Sequence, residues 1–133
     1  MKIKTTVICL PVTDLQKTLD FYKGIFGFGD AQIDGDMVAL ELPNLSLFFM
    51  TKDSYESYTR KANREALMPG ASAPAVLSCA VETKEDVDQA IGQAGGYGGS
   101  SPGPADIDTA SGGYIGYTSD PDGHLWELVC PNQ

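Results

Sequence analysis

Hydrophobic and polar positions along the chain first predict a strand, a helix and three further strands. Residues 3–12 are rich in β-branched and apolar side chains, which is typical of a strand. Apolar residues then recur at helical spacing and stop at Gly27, a residue that commonly ends helices. Short apolar segments separated by turn residues predict strands at residues 30–34, 37–42 and 45–50. The first fifty residues therefore predict a β-α-β-β-β module.

The same order of elements returns in the second half of the chain. Residues 75–81 predict a strand, and Thr83 is placed to cap a helix that ends at the glycine pair of residues 95–96. A Gly-, Ser- and Pro-rich loop with a short edge strand follows. Two last strands are predicted at residues 114–118 and 124–130, joined by an Asp-Pro-Asp-Gly turn. The chain thus contains two β-α-β-β-β modules.

The segment between the modules follows neither pattern. Residues 52–67 carry scattered apolar positions and four of the nine basic groups, which predicts an exposed, weakly amphipathic helix. We therefore divide the single domain into module 1 at about residues 1–50, a helical linker at 51–74, and module 2 at about 75–131. Neither small sheet can bury both of its faces alone. We expect an α+β fold in which the modules form a cupped mixed sheet, with the helices outside and the inner faces enclosing a cleft.

The charge and cysteine content of the chain argue against some classes of partner and location. The net charge is −9, and residues 65–133 carry ten acidic side chains against one basic, Lys84. Such a surface repels phosphate backbones, so we expect no nucleic-acid partner. It either maintains solubility or attracts a cationic ligand. No apolar run reaches the roughly 18 residues of a membrane span, and the N-terminus lacks a signal-peptide pattern. Cys9, Cys79 and Cys130 form no Cys-x-x-Cys pair, which favours a reduced, cytoplasmic location.

Two motifs give the chain a family resemblance. Residues 12–15 (VTDL), 19–22 (LDFY) and 26–28 (FGF) form an opening motif, and residues 117–128 (YTSDPDGHLWEL) form a closing one. With these motifs the chain resembles the vicinal oxygen chelate superfamily, which includes glyoxalase I, extradiol dioxygenases, and fosfomycin and bleomycin resistance proteins. The resemblance covers nearly the whole chain. It implies the paired βαβββ fold and a homodimer whose modules pair across chains, sometimes with swapping.

The resemblance also implies four metal-ligand positions, which His, Gln and Glu usually occupy. They lie on the first and last strand of each module. The last position falls on Glu127, the first on Val7 and the third on Val76, while the second lies within residues 45–50, which contain only Leu, Ser, Phe and Met. A divalent cation needs several oxygen or nitrogen ligands, and one carboxylate is not enough.

Cysteine thiolates do not replace the missing ligands. Zinc could in principle use Cys9, Cys79 and Glu127. Cys79, however, is offset by an odd number of residues from the expected position, which predicts that its side chain points to the other face of the sheet. We therefore expect no metal cofactor.

Without a metal, the chain resembles the bleomycin-resistance branch, which sequesters a drug without chemistry. The leading hypothesis is the binding of a small, cationic or aromatic molecule in the cleft. The alternative is a glyoxalase-like lyase or isomerase that uses Glu127 as general base. A third hypothesis is a dimeric module that acts only through a protein partner.

Aromatic residues are the candidate ligand contacts. Aromatic side chains that line a cleft can stack on planar ligands and attract cationic ones. Period-2 alternation places one of Phe48 and Phe49 toward the cleft. It also places Trp126 on the other face of its strand from Glu127, which favours a core position for the indole. His124, the only histidine, is expected to be structural, and residues 97–113 are a candidate mobile flap. The candidate ligand-binding residues are Phe48, Phe49, Tyr114, Tyr117 and Trp126.

Overall fold

A computed structural model, which describes residues 1–132, shows the same unit twice. Each module builds a four-stranded sheet, in the order β1-β4-β3-β2 and β5-β8-β7-β6. The pairs β1–β4 and β5–β8 are parallel and the other pairs are antiparallel. The strands are β1 Val7–Val12, β2 Ile33–Asp34, β3 Met37–Glu41, β4 Ser46–Thr51, β5 Val76–Ala80, β6 Asp106–Ile107, β7 Tyr114–Ser119 and β8 Leu125–Cys130. The α+β class and the two βαβββ modules are confirmed.

Three α-helices and two short 3₁₀ helices complete the fold. The α-helices are α1 Leu15–Phe26, α2 Lys52–Thr59 and α3 Lys84–Gln93, and the 3₁₀ helices are Arg60–Ala62 and Ala94–Tyr97. None of the helices within residues 1–132 combines the length and apolar character that a membrane crossing requires.

Capping contacts define both ends of α1 and the start of α3. The Asp14 carboxylate accepts hydrogen bonds from two backbone N–H groups at the start of α1. Gly27 ends that helix in the left-handed conformation, with φ of 72°. Thr83 and Asp86 form a reciprocal capping box at the start of α3. Helix α3 has no such end at Gln93: it continues as the 3₁₀ helix, which ends at Gly98 with φ of 84°.

Several elements are shorter than the sequence prediction, among them the strand predicted at residues 30–34, which comprises only Ile33–Asp34. The first strand begins at Val7, because its partner β4 begins opposite it at Ser46. The linker helix ends at Thr59 and continues only as the 3₁₀ helix. It stops because Asn63 takes the left-handed conformation, with φ of 58°.

The covered faces of the two sheets meet in one core, with α1 in contact with both. The Tyr22 ring lies 4.5 Å from the Phe49 ring of the first sheet and 6.0 Å from the Trp126 ring of the second. Phe49 also lies 6.3 Å from the His124 ring. Helices α1 and α3 contact each other. The buried core therefore lies on the helix-covered faces of both sheets, and the opposite faces are uncovered. That the uncovered faces enclose a cleft stays a prediction.

A buried hydrogen-bond network joins the modules at this core. Trp126 Nε1 donates to the Tyr22 hydroxyl at 2.9 Å, and that hydroxyl donates to Asp120 Oδ2 at 2.8 Å. Asp120 Oδ1 accepts from the backbone N–H groups of Asp122 and His124 at 3.0 and 2.9 Å. Burial raises the pKa of both Tyr22 and Asp120. Every member of the network has a partner, which is the condition for a stabilising buried polar group.

Substitution of Tyr22 tests this network. Tyr22→Phe removes the hydroxyl and leaves the Trp126 N–H and one Asp120 oxygen buried without partners. We expect the free energy of unfolding to fall by about 1–3 kcal/mol, measured by urea denaturation at constant protein concentration. Tyr58→Phe is the control, since that ring is 60% exposed; it should change stability by less than about 0.5 kcal/mol. Equal losses in the two variants would show that the network contributes nothing specific.

Gly116 tests how tightly α3 packs on the second sheet. A Cβ added at Gly116 would overlap the side chains of Ile91 and Val87 on α3. We expect Gly116→Ala to lower stability by about 1–3 kcal/mol through overpacking. Gly92→Ala, with open space around it, should instead stabilise α3 by about 0.5–1 kcal/mol, because alanine has the higher helix propensity. Thermal denaturation of the two variants measures the difference. A stabilised Gly116→Ala would contradict the close packing.

Candidate functional site

A carboxylate held by two hydroxyl donors lies on the uncovered face of the second sheet. Strand register places Ser78 of β5 and Tyr117 of β7 directly opposite Glu127 of β8, one on each side. Residues opposite each other on neighbouring strands share a face of the sheet. Ser78 Oγ donates to Glu127 Oε1 at 2.8 Å, and the Tyr117 hydroxyl donates to Glu127 Oε2 at 2.6 Å. The three side chains form one preorganised acceptor.

The hydrogen bonds also determine the electrostatics of this group. Donation to the Glu127 carboxylate, followed by partial burial, raises the pKa of Tyr117. Tyr117 therefore remains a neutral donor at physiological pH. Each carboxylate oxygen receives one hydrogen bond and keeps acceptor capacity for another group. The two hydroxyl groups thus hold the Glu127 carboxylate in one orientation.

The surroundings of Glu127 are mainly apolar. By strand alternation, Val76, Leu125, Val129 and Ile115 share the uncovered face with it. The face is open to solvent, since Val76 is 49% exposed and Tyr117 37% exposed. Apolar walls with a few placed polar groups are typical of small-molecule sites: here the aliphatic groups supply area and the carboxylate supplies orientation.

The first sheet presents a second uncovered face. Phe48 of β4 lies there, half-buried, with Cys9 of β1 and Ala39 of β3 in register on either side. Val7 shares this face and is 38% exposed. Where β3 ends and β4 begins, Ser46 Oγ donates to Glu41 Oε2 at 2.6 Å. Of the two adjacent phenylalanines on β4, Phe48 is thus the one on the uncovered face.

The other predicted aromatic contacts lie on the covered faces. Phe49 and Trp126 are buried in the core around Tyr22. Tyr114 packs against that core, and its hydroxyl donates to Asp88 Oδ1 on α3 at 2.6 Å. Alternation along β4, β7 and β8 directs Phe49, Tyr114 and Trp126 to the helices, so their candidate role as ligand contacts is corrected. For Trp126 this is the core position that alternation favoured. Phe48 and Tyr117 stay as predicted ligand contacts.

Sequence reasoning did not find Ser78. Its signal was present: Ser78 lies two residues after Val76, the expected ligand position, and therefore on the same face. Its pairing with Glu127 depends on the parallel register of β5 and β8, which the sequence does not specify.

The residues at the family's metal positions do not fit a divalent cation. Val7 and Val76 offer only hydrocarbon, and the uncovered side of β4 offers Ser46, Phe48 and Met50. Within residues 1–132 no three His, Cys, Asp or Glu side chains lie close enough together to hold a metal. Cys79 packs against the core on the covered face, as its odd offset predicted.

The remaining predicted features have structural contacts. His124 is buried, and its Nε2 lies 2.8 Å from the carbonyl oxygen of Pro11. The 97–113 segment is held to β7 near its start by two backbone hydrogen bonds between Ser100 and Ser119, at 3.0 and 2.8 Å. Ser101 Oγ donates to the carbonyl of Tyr117 at 2.7 Å, so this segment borders the Glu127 site. Its proposed role as a mobile flap stays a prediction.

The largest cavity described lies away from Glu127. It has a volume of about 740 Å³ and lies between α1 and the second module, where Tyr97 and Asp122 line it. Its mouth is wide and its lining mixed, including Lys17, Asp20 and Lys23.

Comparisons with known proteins agree on the fold. The structure is similar to that of a glyoxalase-related enzyme from Fulvimarina pelagi, with a TM-score of 0.80 and 23% identity over 96% of this chain and 87% of that one. A glyoxalase/bleomycin resistance protein/dioxygenase family enzyme from Burkholderia phytofirmans gives a TM-score of 0.76 and 17% identity, covering 96% and 98%. A lactoylglutathione lyase from Agrobacterium tumefaciens gives 0.67 and 16%, covering 97% and 94%.

Sequence comparison is specific at the level of the family. No curated protein matches the chain. The model of the Glyoxalase/Bleomycin resistance protein/Dioxygenase superfamily matches residues 3–128, which is nearly the whole chain and includes both motifs. The chain therefore belongs to the glyoxalase/bleomycin resistance protein/dioxygenase superfamily.

Proposed function

We propose that this protein binds a small cationic or aromatic molecule without metal chemistry, with Glu127 as the anchor for positive charge. The observation that carries the proposal is the carboxylate fixed by Ser78 and Tyr117 on an exposed apolar sheet face. A cation that reaches this face gains a charge-assisted contact with an acceptor whose geometry is already set. The aromatic ring of Tyr117 adds a surface for cation–π contact.

The charge distribution supports a cationic ligand. All of the net charge comes from residues 65–133, the half that contains Glu127. A surface of one sign raises the local concentration of ligands of the opposite sign. The same surface disfavours anionic substrates such as acidic thiol conjugates.

The proposed binding site includes a second copy of the chain. Phe48 and Glu127 lie on the uncovered faces of different sheets. In a homodimer that pairs module 1 of one copy with module 2 of the other, these two faces enclose a cleft. The exposed Val7 and Val76 at the strand edges then become buried, which supplies part of the association energy. Phe48 contributes an aromatic wall from the opposite copy.

Matched ligands and a charge-neutral variant test the anchor. The parent protein should bind benzyltrimethylammonium at least about tenfold more tightly than its uncharged analogue neopentylbenzene, a difference of roughly 1.4 kcal/mol. Glu127→Gln should remove this preference, and Tyr117→Phe should weaken it because one carboxylate oxygen loses its donor. Isothermal titration calorimetry measures both affinities.

Glu85→Gln is the control for net charge, since Glu85 lies in the exposed first turn of α3. It should retain the preference for the cation. If Glu127→Gln binds both compounds as the parent does, or if only anionic thiol conjugates stabilise the protein, the proposed function is wrong.

Analytical ultracentrifugation tests whether the protein forms the proposed homodimer. The parent should sediment as two 14.1 kDa chains. Val76→Lys places a charge on the uncovered face and should shift the equilibrium toward the monomer by at least about tenfold. Ala62→Lys, at an exposed position outside both sheets, is the matched control and should leave the dimer intact. A parent that remains monomeric at high micromolar concentration contradicts a cleft shared between copies.

A further inference from the structure

The Glu127 carboxylate keeps one free acceptor position on each of its oxygens. An ionised carboxylate accepts about four hydrogen bonds, two at each oxygen. Ser78 Oγ uses one position on Oε1, and the Tyr117 hydroxyl uses one on Oε2. These donors come from β5 and β7, the strands on opposite sides of β8, and neither donor bridges the two oxygens. The remaining acceptor positions are therefore divided equally between Oε1 and Oε2.

The chain itself supplies no positive charge to this carboxylate. In the part of the chain that the structure describes, both ion pairs are formed by Glu56, with Lys52 and Arg60. The one basic residue of positions 65–133, Lys84, lies with its ammonium nitrogen 5.5 Å from the centre of the Tyr114 ring, on the covered side of β7. The two hydrogen bonds to Glu127 are exposed to solvent. The free positions on the carboxylate are thus open to an external donor.

One free position on each oxygen matches a planar cation that carries two parallel N–H donors. Amidinium and guanidinium groups carry such a pair, and a two-point contact of this kind with a carboxylate adds geometric specificity to the charge attraction. A quaternary ammonium group has no N–H donor, and a primary ammonium group has all of its donors on a single nitrogen. Because Ser78 and Tyr117 hold the Glu127 carboxylate in one orientation, it is prepared for the two-point contact.

A cavity adjoins this face of the second sheet. In the parallel register of β5 and β8, Val76 lies opposite Leu125 and Ser78 lies opposite Glu127. The first pair is two residues from the second along the strands, which is about 7 Å. Val76 and Leu125 line a cavity of about 370 Å³. Its lining also includes Tyr55, Leu67 and a second carboxylate, Glu65. Apolar surface next to a charge anchor suits a ligand that combines a cationic group with an apolar body.

We propose that the Glu127 site binds ligands whose positive charge is an amidinium or guanidinium group on an apolar body, with one N–H donated to each carboxylate oxygen. We call this two-point arrangement the forked contact. The proposal rests on the proposed function, since it takes Glu127 as the anchor for positive charge, and it names the chemical class of that charge. Ser78 and Tyr117 are positioning residues, because they act on the ligand through the carboxylate that they orient.

Benzamidine, benzylamine and acetamidine test the two parts of the ligand at pH 7, where all three are cations. The parent should bind benzamidine at least about fivefold more tightly than benzylamine, because only the amidinium offers two parallel donors. It should also bind benzamidine at least about fivefold more tightly than acetamidine, which has the same donors without the ring. Isothermal titration calorimetry measures the affinities. Equal affinities for benzamidine and benzylamine would overturn the forked contact, and equal affinities for benzamidine and acetamidine would overturn the apolar body.

A double variant tests the positioning role. Ser78→Ala/Tyr117→Phe keeps the carboxylate and its charge but removes both donors that orient it. Its preference for benzamidine over benzylamine should fall below about twofold, because a freely rotating carboxylate loses the prepared geometry. Ser57→Ala/Tyr58→Phe removes the same two hydroxyl groups from exposed positions on α2 and should retain the parent's preference. A retained preference in Ser78→Ala/Tyr117→Phe would overturn the positioning role.

A crystal structure of the parent with benzamidine tests the forked contact directly. The two amidinium nitrogens should lie about 2.7–2.9 Å from Glu127 Oε1 and Oε2, one on each. A complex in which a single nitrogen, or none, contacts the carboxylate would overturn the proposal.

Benzyltrimethylammonium separates this proposal from the proposed function. If it binds as tightly as benzamidine and Glu127→Gln weakens both equally, the carboxylate anchors cations and the forked contact is wrong. If Glu127→Gln weakens the binding of neither cation, the proposed function is wrong and this proposal with it.

Discussion

The hydrogen bonds from Trp126 to Tyr22 and from Tyr22 to Asp120 are the constraint on which the arrangement of this molecule depends. They join a helix of the first module to a strand and a turn of the second, 98 to 104 residues apart in sequence. Because these groups are buried, each needs its partner, and the partners are correct only when the covered faces of both sheets meet at α1. The network therefore specifies how the modules pack as well as stabilising the core.

This packing determines what the other sheet faces present to solvent. In β8 the alternation that buries Trp126 and Leu128 exposes Leu125, Glu127 and Val129 on the other side. Ser78 and Tyr117 are positioned by the same rule on the neighbouring strands. The candidate site is thus a consequence of core packing: a shift of one residue in β8 would bury the carboxylate and expose the indole. Its geometry is carried by three paired strands, which hold it more precisely than a loop would.

Sequence patterns predicted the modules and the helix ends but not the relation between the modules. The caps at Asp14 and Thr83 and the turn at Gly123 depend on side chains close in sequence, so local chemistry was sufficient. Which face of a sheet the helices cover depends on residues that are distant in the sequence. Strand β4 illustrates the limit, since Leu47, Phe48, Phe49 and Met50 are all apolar and alternation alone cannot tell which face is covered. The helix predicted over residues 52–67 ends early because Asn63 takes the left-handed conformation, which periodicity does not reveal.

The uncovered face of the second sheet combines apolar side chains with a carboxylate, Glu127, that is held by hydroxyl groups. In a metal site the charge of a glutamate is balanced by the ion, and other ligands complete the coordination. Here valines occupy two of the corresponding positions, and the charge of Glu127 is supported by hydroxyl dipoles from Ser78 and Tyr117. Dipoles orient and stabilise an anion but do not neutralise it. A cationic ligand would provide that neutralisation, and it would gain most where a second sheet face excludes water, because the attraction between charges strengthens as the local dielectric constant falls. The same exclusion would penalise an uncharged ligand only slightly, so the affinity difference between charged and uncharged ligands should grow as the cleft closes.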